Sequence, residues 1–167
     1  LDTQDVRPWK PRTSNATCET RLLTASAVAK AKADLAAGEG NYPFTRGTQG
    51  HDHLEEDIAL LQELGIDIYR FSLSWARLFP QGDEAEPNPE GLAYYDRVFE
   101  AVRAAGMKTF VTLTHYAIPL HLVEAYGSWT NRALIDLYER FARTVFERWG
   151  SMIDYYLPFN EINAGYF

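Results

Sequence analysis

After residue 50 the sequence alternates between helical and extended patterns, and this alternation restricts the possible folds more than any other feature. Apolar residues recur every three or four positions over 53–64, 89–105 and 131–149, which predicts three amphipathic helices. Segments rich in β-branched and aromatic residues follow over 66–74, 108–114 and 152–159, which predicts three strands. Helices that alternate with strands form right-handed crossovers, so we expect an α/β fold with a parallel sheet.

Capping and turn-forming residues lie at the ends of the predicted helices. Asn88 can cap the second helix, and Pro89 fits its first turn. Gly65, Gly106 and Gly150 follow the three helices, as is usual for helix C-termini. The repeat of roughly 45 residues fits a barrel or a doubly wound sheet. No glycine-rich phosphate loop follows any of the predicted strands, which disfavours a nucleotide-binding doubly wound fold.

The first part of the chain has a different character. Residues 1–50 have no sustained periodicity and contain several prolines and glycines. The alanine- and lysine-rich stretch 24–37 is compatible with one short helix, and the rest is interpreted as a long, irregular excursion. We therefore divide the chain into this N-terminal excursion, 1–50, and a regular region of strand–helix units, 51–167.

Composition and charge exclude several classes of protein. The chain is 46% hydrophobic, which is enough for a folded core and excludes a disordered or fibrous chain. Its formal net charge of −7 argues against nucleic acid or an anionic membrane surface as a partner. No apolar run reaches the length of a membrane span. The single cysteine, Cys18, excludes an intrachain disulfide and suits a reducing compartment.

Chemically versatile side chains gather towards the C-terminal ends of the three predicted strands. In a parallel barrel these ends point to one face, which is where active sites lie. A carboxylate, an imidazole, an amide, a guanidinium and aromatic rings would meet there, as in a carbohydrate site. The residues are Arg70, Ser72, Ser74 and Trp75 at the first strand, His115 and Tyr116 at the second, and Asn160 and Glu161 at the third.

Glu161 is the candidate catalytic residue of this group. Cleavage of a glycoside requires one carboxylic acid that protonates the leaving oxygen and a second carboxylate opposite it. A glutamate at a strand end is well placed for the first role. From its spacing alone, Glu161 is interpreted as one member of a structural ion pair. His115, taken by itself, is interpreted as a core histidine.

Four motifs in this order resemble glycoside hydrolase family 1. They are YRFSLSWARLFP at 69–80, TLTHY at 112–116 followed by Pro119-Leu120, YGSWTNR at 126–132, and FNEIN at 159–163. The resemblance covers most of residues 50–167 and implies part of a (β/α)8 TIM barrel, about strands 2–4. Gly82-Asp83-Glu84, Ile162 and Tyr116 are similar to the 6-phospho-β-glucosidase branch, because ordinary β-glucosidases usually carry proline and tryptophan at the last two positions.

The resemblance implies a role for each candidate residue. Glu161 would be the general acid/base, and Asn160 would hold the sugar 2-hydroxyl. His115 would bind the neighbouring hydroxyl, and Tyr116 would form part of the sugar wall. Arg70 would orient the nucleophilic carboxylate and keep it ionised by charge pairing. Neither a metal nor an organic cofactor is implied, and the expected partner is a small β-glycoside, with an oligomeric state that the sequence leaves open.

Several parts of the family pattern are absent from this sequence. The sugar-binding glutamine of the first strand, the nucleophile of the seventh strand and the phosphate-binding loop have no counterpart, and three strands cannot close a barrel. We therefore expect a fragment or a truncated form that is inactive by itself. Hydrolysis of β-glucoside 6-phosphates in the cytoplasm is the favoured function. The alternatives are a β-glucosidase or β-galactosidase for unphosphorylated sugars, and a non-catalytic sugar-binding barrel protein.

Other features are expected to be structural. Trp75 and Trp129 are interpreted as packing residues. The acidic run at 83–86 is interpreted as a solvated loop. His51 and His53 lie among carboxylates on several faces of a helix start, so a metal site there is disfavoured.

Overall fold

A computed structural model describes residues 25–40 and 47–162 of the chain. Its centre is a three-stranded parallel sheet of order β1-β2-β3, formed by Ile68–Ser72, Lys108–Thr114 and Tyr155–Phe159. Arg70 of β1 pairs with Phe110 of β2, and Phe110 pairs with Tyr155 of β3, so that these three residues form one row across the sheet. The predicted α/β alternation and parallel sheet are confirmed.

Six α-helices lie within the described residues. Their bounds are Ala25–Ala37 (α1), Leu54–Glu63 (α2), Trp75–Leu78 (α3), Pro89–Ala104 (α4), Leu120–Tyr126 (α5) and Ala133–Trp149 (α6). Short 3-10 turns follow at Ser128–Thr130 and Gly150–Met152. The three long helices of the regular region, α2, α4 and α6, are those that the sequence predicts.

Capping chemistry fixes where α4 and α6 begin. The Asn88 side chain accepts a 3.2 Å hydrogen bond from the backbone N–H of Glu90, and Pro89 occupies the first turn, as predicted. Just before α6, the Asn131 side chain accepts from the N–H of Ala133 at 3.0 Å, although the N-cap residue of that helix is Arg132, whose side chain makes no cap. Such caps satisfy backbone donors that have no partner within the helix, and each stabilises it by about 1 kcal/mol.

The core lies between the helices and one face of the sheet. Phe99 of α4 stacks on Trp149 of α6 with ring centroids 5.3 Å apart and meets Phe71 of β1 edge to face. Val111 of β2 and Val145 of α6 are fully buried in the same cluster. Each such side chain contributes roughly 1.5–3 kcal/mol through burial, which holds α4 and α6 against the sheet.

Some local predictions are wrong at element ends. Leu64, the last apolar residue of the predicted helix 53–64, is 74% exposed, because it is the C-cap residue, beyond the last turn of α2. The first predicted strand, 66–74, is shorter: β1 ends at Ser72, and the Ser74 side chain accepts from the N–H of Arg77 to start α3. The third begins at Tyr155 rather than residue 152, since Gly150–Met152 forms a 3-10 turn. Neither α3 nor α5 was predicted.

The acidic run is not the solvated loop that the sequence suggests. The Asp83 carboxylate contacts the His121 ring at 3.1 Å and accepts from the Tyr126 hydroxyl at 3.0 Å. The Glu84 carboxylate accepts 2.7 Å hydrogen bonds from the N–H groups of Gln81 and Gly82. Partial burial raises the pKa of Asp83, but the hydrogen bonds from Tyr126 and His121 outweigh it and lower that pKa. The loop is therefore held to α5 by specific contacts.

The N-terminal region is described in part. The predicted short helix is confirmed as α1, and its Lys32 pairs with Glu124 of α5 at 2.6 Å. Residues 1–24, with Cys18, and residues 41–46 lie outside the described residues, so the division of the chain at residue 50 stays a prediction. Within the described ranges, no helix is both long and apolar enough to cross a membrane.

Candidate active site

The C-terminal ends of β2 and β3 lie side by side. Thr114 and Phe159 are paired in the sheet, and the N–H of Asn160 donates to the Thr114 carbonyl at 2.9 Å, one residue beyond the end of β3. This pairing brings Tyr116 next to Glu161, although the two are 45 residues apart in the sequence. The parallel topology thus produces the convergence that the sequence predicts.

Arg70 connects the first strand to this pair of strand ends. Its Nη2 donates a 2.6 Å hydrogen bond to Oδ1 of Asn160, and its Nε donates to the Thr112 hydroxyl at 3.2 Å. The guanidinium carbon also lies 5.4 Å from the centre of the Phe110 ring. These contacts fix Arg70 on the same sheet face as Thr112.

Asn160, Tyr116 and Glu161 continue the same hydrogen-bonded chain. Nδ2 of Asn160 donates to the Tyr116 hydroxyl oxygen at 3.1 Å, and the Tyr116 hydroxyl donates to Oε2 of Glu161. The route Arg70–Asn160–Tyr116–Glu161 therefore joins four of the five predicted site residues. We call these four residues together with His115 the strand-end cluster.

The backbone of two cluster residues adopts the left-handed conformation. The φ angle is 67° at Tyr116 and 45° at Glu161. Side chains other than glycine pay about 1 kcal/mol or more for this conformation, and it persists only where surrounding contacts compensate. Residues of this kind concentrate at functional sites, where they direct a side chain to a particular place.

Ser72 supports His115, the fifth predicted residue. Its hydroxyl lies 2.9 Å from Nδ1 of His115, and the imidazole also meets the Tyr116 ring edge to face at 5.2 Å. A partner on Nδ1 orients the ring and helps to select its tautomer. Ser72 is one of the strand-end residues that the sequence predicts, although the sequence assigns it no role. Ser72 lies two residues after Arg70 on the same strand, and this spacing predicts that both side chains lie on one face of the sheet.

Ser74 and Trp75 lie just after the first strand, and their contacts are with the surrounding helices rather than with the strand-end cluster. The N–H of Ser74 donates to the Tyr95 hydroxyl at 2.6 Å, and its side chain caps α3. Trp75 is 1% exposed and stacks on Phe141 at 5.3 Å. The burial of Trp75 confirms its interpretation as a packing residue. Trp129 contacts Trp75 and Phe159 but is 40% exposed, so its interpretation stays a prediction.

The strand-end cluster offers one set of polar atoms to a ligand. Arg70, His115 and Glu161 are exposed, and Asn160 is half-buried. Amide, imidazole, guanidinium and carboxylate groups on one surface match the alternating donors and acceptors of sugar hydroxyls. Within residues 25–40 and 47–162, no three His, Cys, Asp or Glu side chains are close enough together to hold a metal ion.

Comparison with protein families identifies this arrangement. The model of glycosyl hydrolase family 1 matches residues 46–166, which include all of the strand-end cluster. The chain belongs to glycosyl hydrolase family 1. The family resemblance predicted from the four motifs is therefore confirmed.

Curated relatives match the same region. The chain is 48% identical to the 6-phospho-beta-glucosidase AscB of Escherichia coli (strain K12) over 122 residues, which are 73% of this chain and 26% of that protein. It is 53% identical to a 6-phospho-beta-glucosidase of Dickeya chrysanthemi over 108 residues, 65% of this chain and 23% of the relative. The chain thus spans about a quarter of the length of the curated relatives that it matches.

Solved structures establish the fold. A family 1 β-glucosidase from Thermotoga maritima superposes with a TM-score of 0.64 at 33% identity, over 67% of this chain and 25% of that one. The virulence factor SghA, solved in complex with its substrate analog salicin, gives 0.63 at 37% identity over 66% and 24% of the two chains. The chain is therefore part of a (β/α)8 barrel, as predicted, with three parallel strands among the residues described.

Proposed function

We propose that the protein to which this chain belongs is a retaining β-glycoside hydrolase that cleaves 6-phospho-β-glucosides, with Glu161 as the general acid/base. The observation that carries this proposal is the hydrogen-bonded route from Arg70 through Asn160 and Tyr116 to Glu161. It supports the proposal because it holds a carboxylate beside an amide and a guanidinium at the strand ends, where barrel enzymes carry out their chemistry.

The phosphorylated substrate is favoured by the relatives. The AscB and Dickeya chrysanthemi proteins are both 6-phospho-beta-glucosidases, at 48% and 53% identity, whereas Beta-glucosidase 25 of rice is 40% identical. Tyr116 and Ile162, at positions where ordinary β-glucosidases usually carry other residues, point the same way.

The proposed reaction has two steps. Glu161 first protonates the glycosidic oxygen while a carboxylate from another part of the barrel attacks the anomeric carbon, so that the aglycone leaves and a glycosyl–enzyme bond forms. Glu161 then removes a proton from water, which attacks the anomeric carbon and releases the sugar and the nucleophile. The β configuration is retained, because the anomeric carbon is inverted twice.

Asn160, His115 and Arg70 orient the reacting groups. Because Oδ1 of Asn160 accepts from Arg70 and one N–H of Nδ2 donates to Tyr116, the other N–H of Nδ2 is the atom that can bind the sugar 2-hydroxyl. Nε2 of His115 binds the neighbouring hydroxyl. Among the described residues Arg70 donates to Asn160 and Thr112 with two of its five N–H groups, and the proposal assigns other N–H groups to the nucleophile.

Cellular context follows from the proposed substrate. Phosphorylated disaccharides arise during uptake and are cleaved inside the cell, so the proposed location is the cytoplasm. The partner is a small β-glycoside, and the proposed two-step mechanism uses carboxylates without a metal or organic cofactor.

The experiment uses the open reading frame that encodes this chain. Purified protein is assayed with p-nitrophenyl β-glucoside and with its 6-phosphate, and an E161Q variant is assayed beside it. We expect turnover of the 6-phosphate and a loss in E161Q of about 10²–10⁴-fold, the usual contribution of a general acid/base. The matched control is E139Q, which changes an exposed glutamate of α6 and should keep wild-type activity.

Each contrary outcome has its own meaning. Turnover of the unphosphorylated glucoside alone would assign the protein to ordinary β-glucosidases. Sugar binding without turnover, unchanged in E161Q, would support the non-catalytic barrel and refute the enzymatic proposal.

A further inference from the structure

We propose that Tyr116 is a positioning residue for the acid/base: its hydroxyl holds Oε2 of Glu161 and so makes Oε1 the oxygen that carries the catalytic proton. This proposal rests on the proposed function of Glu161. It assigns to Tyr116 a task beyond the sugar wall, which needs only the aromatic ring.

The direction of the hydrogen bond is fixed by its neighbours. A tyrosine hydroxyl has one proton to donate and lone pairs that accept. Nδ2 of Asn160 donates to the Tyr116 oxygen at 3.1 Å, and Asn160 itself is oriented because Arg70 donates to its Oδ1 at 2.6 Å. The proton of Tyr116 is thus directed to Oε2 of Glu161.

The backbone supports the same pairing. Tyr116 and Glu161 have φ angles of 67° and 45°, and both lie directly beyond the paired ends of β2 and β3. Strained conformations at two facing positions persist when contacts between them compensate for the cost. The hydrogen bond from the Tyr116 hydroxyl to the Glu161 carboxylate is such a contact.

The consequence for the chemistry concerns both forms of Glu161. In the acid form, Oε2 accepts from Tyr116, so the proton resides on Oε1 and is delivered from there to the glycosidic oxygen. In the base form, the same hydrogen bond stabilises the negative charge. Removal of the hydroxyl should therefore leave the carboxyl group less well oriented, with neither oxygen singled out to carry the proton.

Two other charged or titratable groups belong to the strand-end cluster. Arg70 is engaged with Asn160 and Thr112, and His115 with Ser72 and the edge of Tyr116. Both remain in place in a Y116F variant, since phenylalanine keeps the ring. A difference between Y116F and wild type can then be assigned to the hydroxyl.

The test measures the pH dependence of kcat/KM on aryl β-glucoside 6-phosphates with good and poor leaving groups. For Y116F we expect the pH dependence of kcat/KM to differ from that of wild type, since the group that distinguishes the two carboxyl oxygens is lost. We also expect poor leaving groups to lose about tenfold in kcat/KM, while dinitrophenyl substrates, which need little acid assistance, change by less than about twofold.

Y126F is the matched control. Tyr126 also donates from its hydroxyl to a carboxylate, that of Asp83, but it lies on α5 outside the cluster. We expect its profile and its dependence on the leaving group to match wild type. If Y116F does not fold, Y116W keeps an aromatic ring without the phenol and serves in its place.

The outcomes separate this proposal from the one on which it rests. An active wild-type enzyme whose Y116F variant has an unchanged pH dependence and unchanged leaving-group dependence would refute the positioning role and leave only the sugar wall. Wild-type protein without turnover of any β-glycoside would refute the proposed function itself, and the positioning role with it.

Discussion

Arg70 on the first strand donates a 2.6 Å hydrogen bond to Asn160, which lies ninety residues further along the chain, beyond the third strand. The same guanidinium reaches Thr112 on the strand between them, so a single side chain ties all three strands together at the site. Its planar fork of donors suits two acceptors held in fixed positions, whereas lysine is a flexible point charge.

On the proposed function, we expect R70K to reduce kcat/KM for the β-glucoside 6-phosphate by about 10²-fold, because mispositioning of catalytic groups by roughly 1 Å has effects of this size. The measurement is kcat/KM beside the thermal unfolding midpoint. R103K is the control and should behave as wild type. The side chain of the exposed Arg103 donates to the carbonyl of Ser151, away from the strand-end cluster. Wild-type activity in R70K would contradict the orienting role.

The contact between Ser72 and His115 should affect how tightly the enzyme binds its substrate. The Ser72 hydroxyl lies 2.9 Å from Nδ1 of His115, so S72A should remove one of the contacts that orient the imidazole and select its tautomer. We expect KM to rise about fivefold with kcat changed by less than twofold, since the loss of one neutral hydrogen bond costs about 1 kcal/mol. Steady-state kinetics of S72A and of the exposed-site control S151A check this. Equal KM values in the two variants would exclude the role.

The hydrogen bonds of Asp96 should make the free energy of unfolding depend on pH. Hydrogen bonds from the Arg148 guanidinium and the Trp149 indole lower its pKa, despite an opposing contribution from burial. Because the folded-state pKa lies below the unfolded value of about 3.9, the stabilisation is present above that value and is lost as the pH falls through the folded-state pKa.

D96N should therefore lower the free energy of unfolding by about 1 kcal/mol at pH 7, a value reduced by the partial exposure of the pair. Denaturant unfolding between pH 7 and pH 3 should show that the difference between wild type and D96N shrinks below about pH 4. E100Q, an exposed carboxylate on the same helix, is the control. A constant difference over the whole range would show that the charge of Asp96 is not involved.

Gly91 marks a close approach between α3 and α4. A Cβ atom at this position would lie 2.1 Å from the carbonyl oxygen of Arg77, a backbone atom that cannot move aside without shifting the helix. We expect G91A to lower the free energy of unfolding by about 2 kcal/mol or more through overpacking. In G50A the new Cβ has its nearest neighbour at 3.8 Å, so that variant should stay within about 1 kcal/mol of wild type. Denaturant unfolding distinguishes the two, and equal midpoints would mean that α3 can move away.

Much of the fold is determined locally and was therefore predictable. Hydrophobic periodicity located α2, α4 and α6, and Asn88 with Pro89 located the start of α4, because spacing and caps act over a few residues. The family motifs likewise identified the five residues of the strand-end cluster before any contact was known.

The contacts between these residues needed the tertiary structure. The bond of Tyr116 to Glu161, the support of His115 by Ser72 and the attachment of the acidic loop through Asp83 join residues 38 to 45 positions apart. Their formation depends on which strands are neighbours and in what register, which periodicity does not specify. The sequence by itself determined the long helices, the three strands, the family and the candidate residues. The packing of the sheet decided which of those residues touch, because side chains distant in the chain meet only when the strands are aligned.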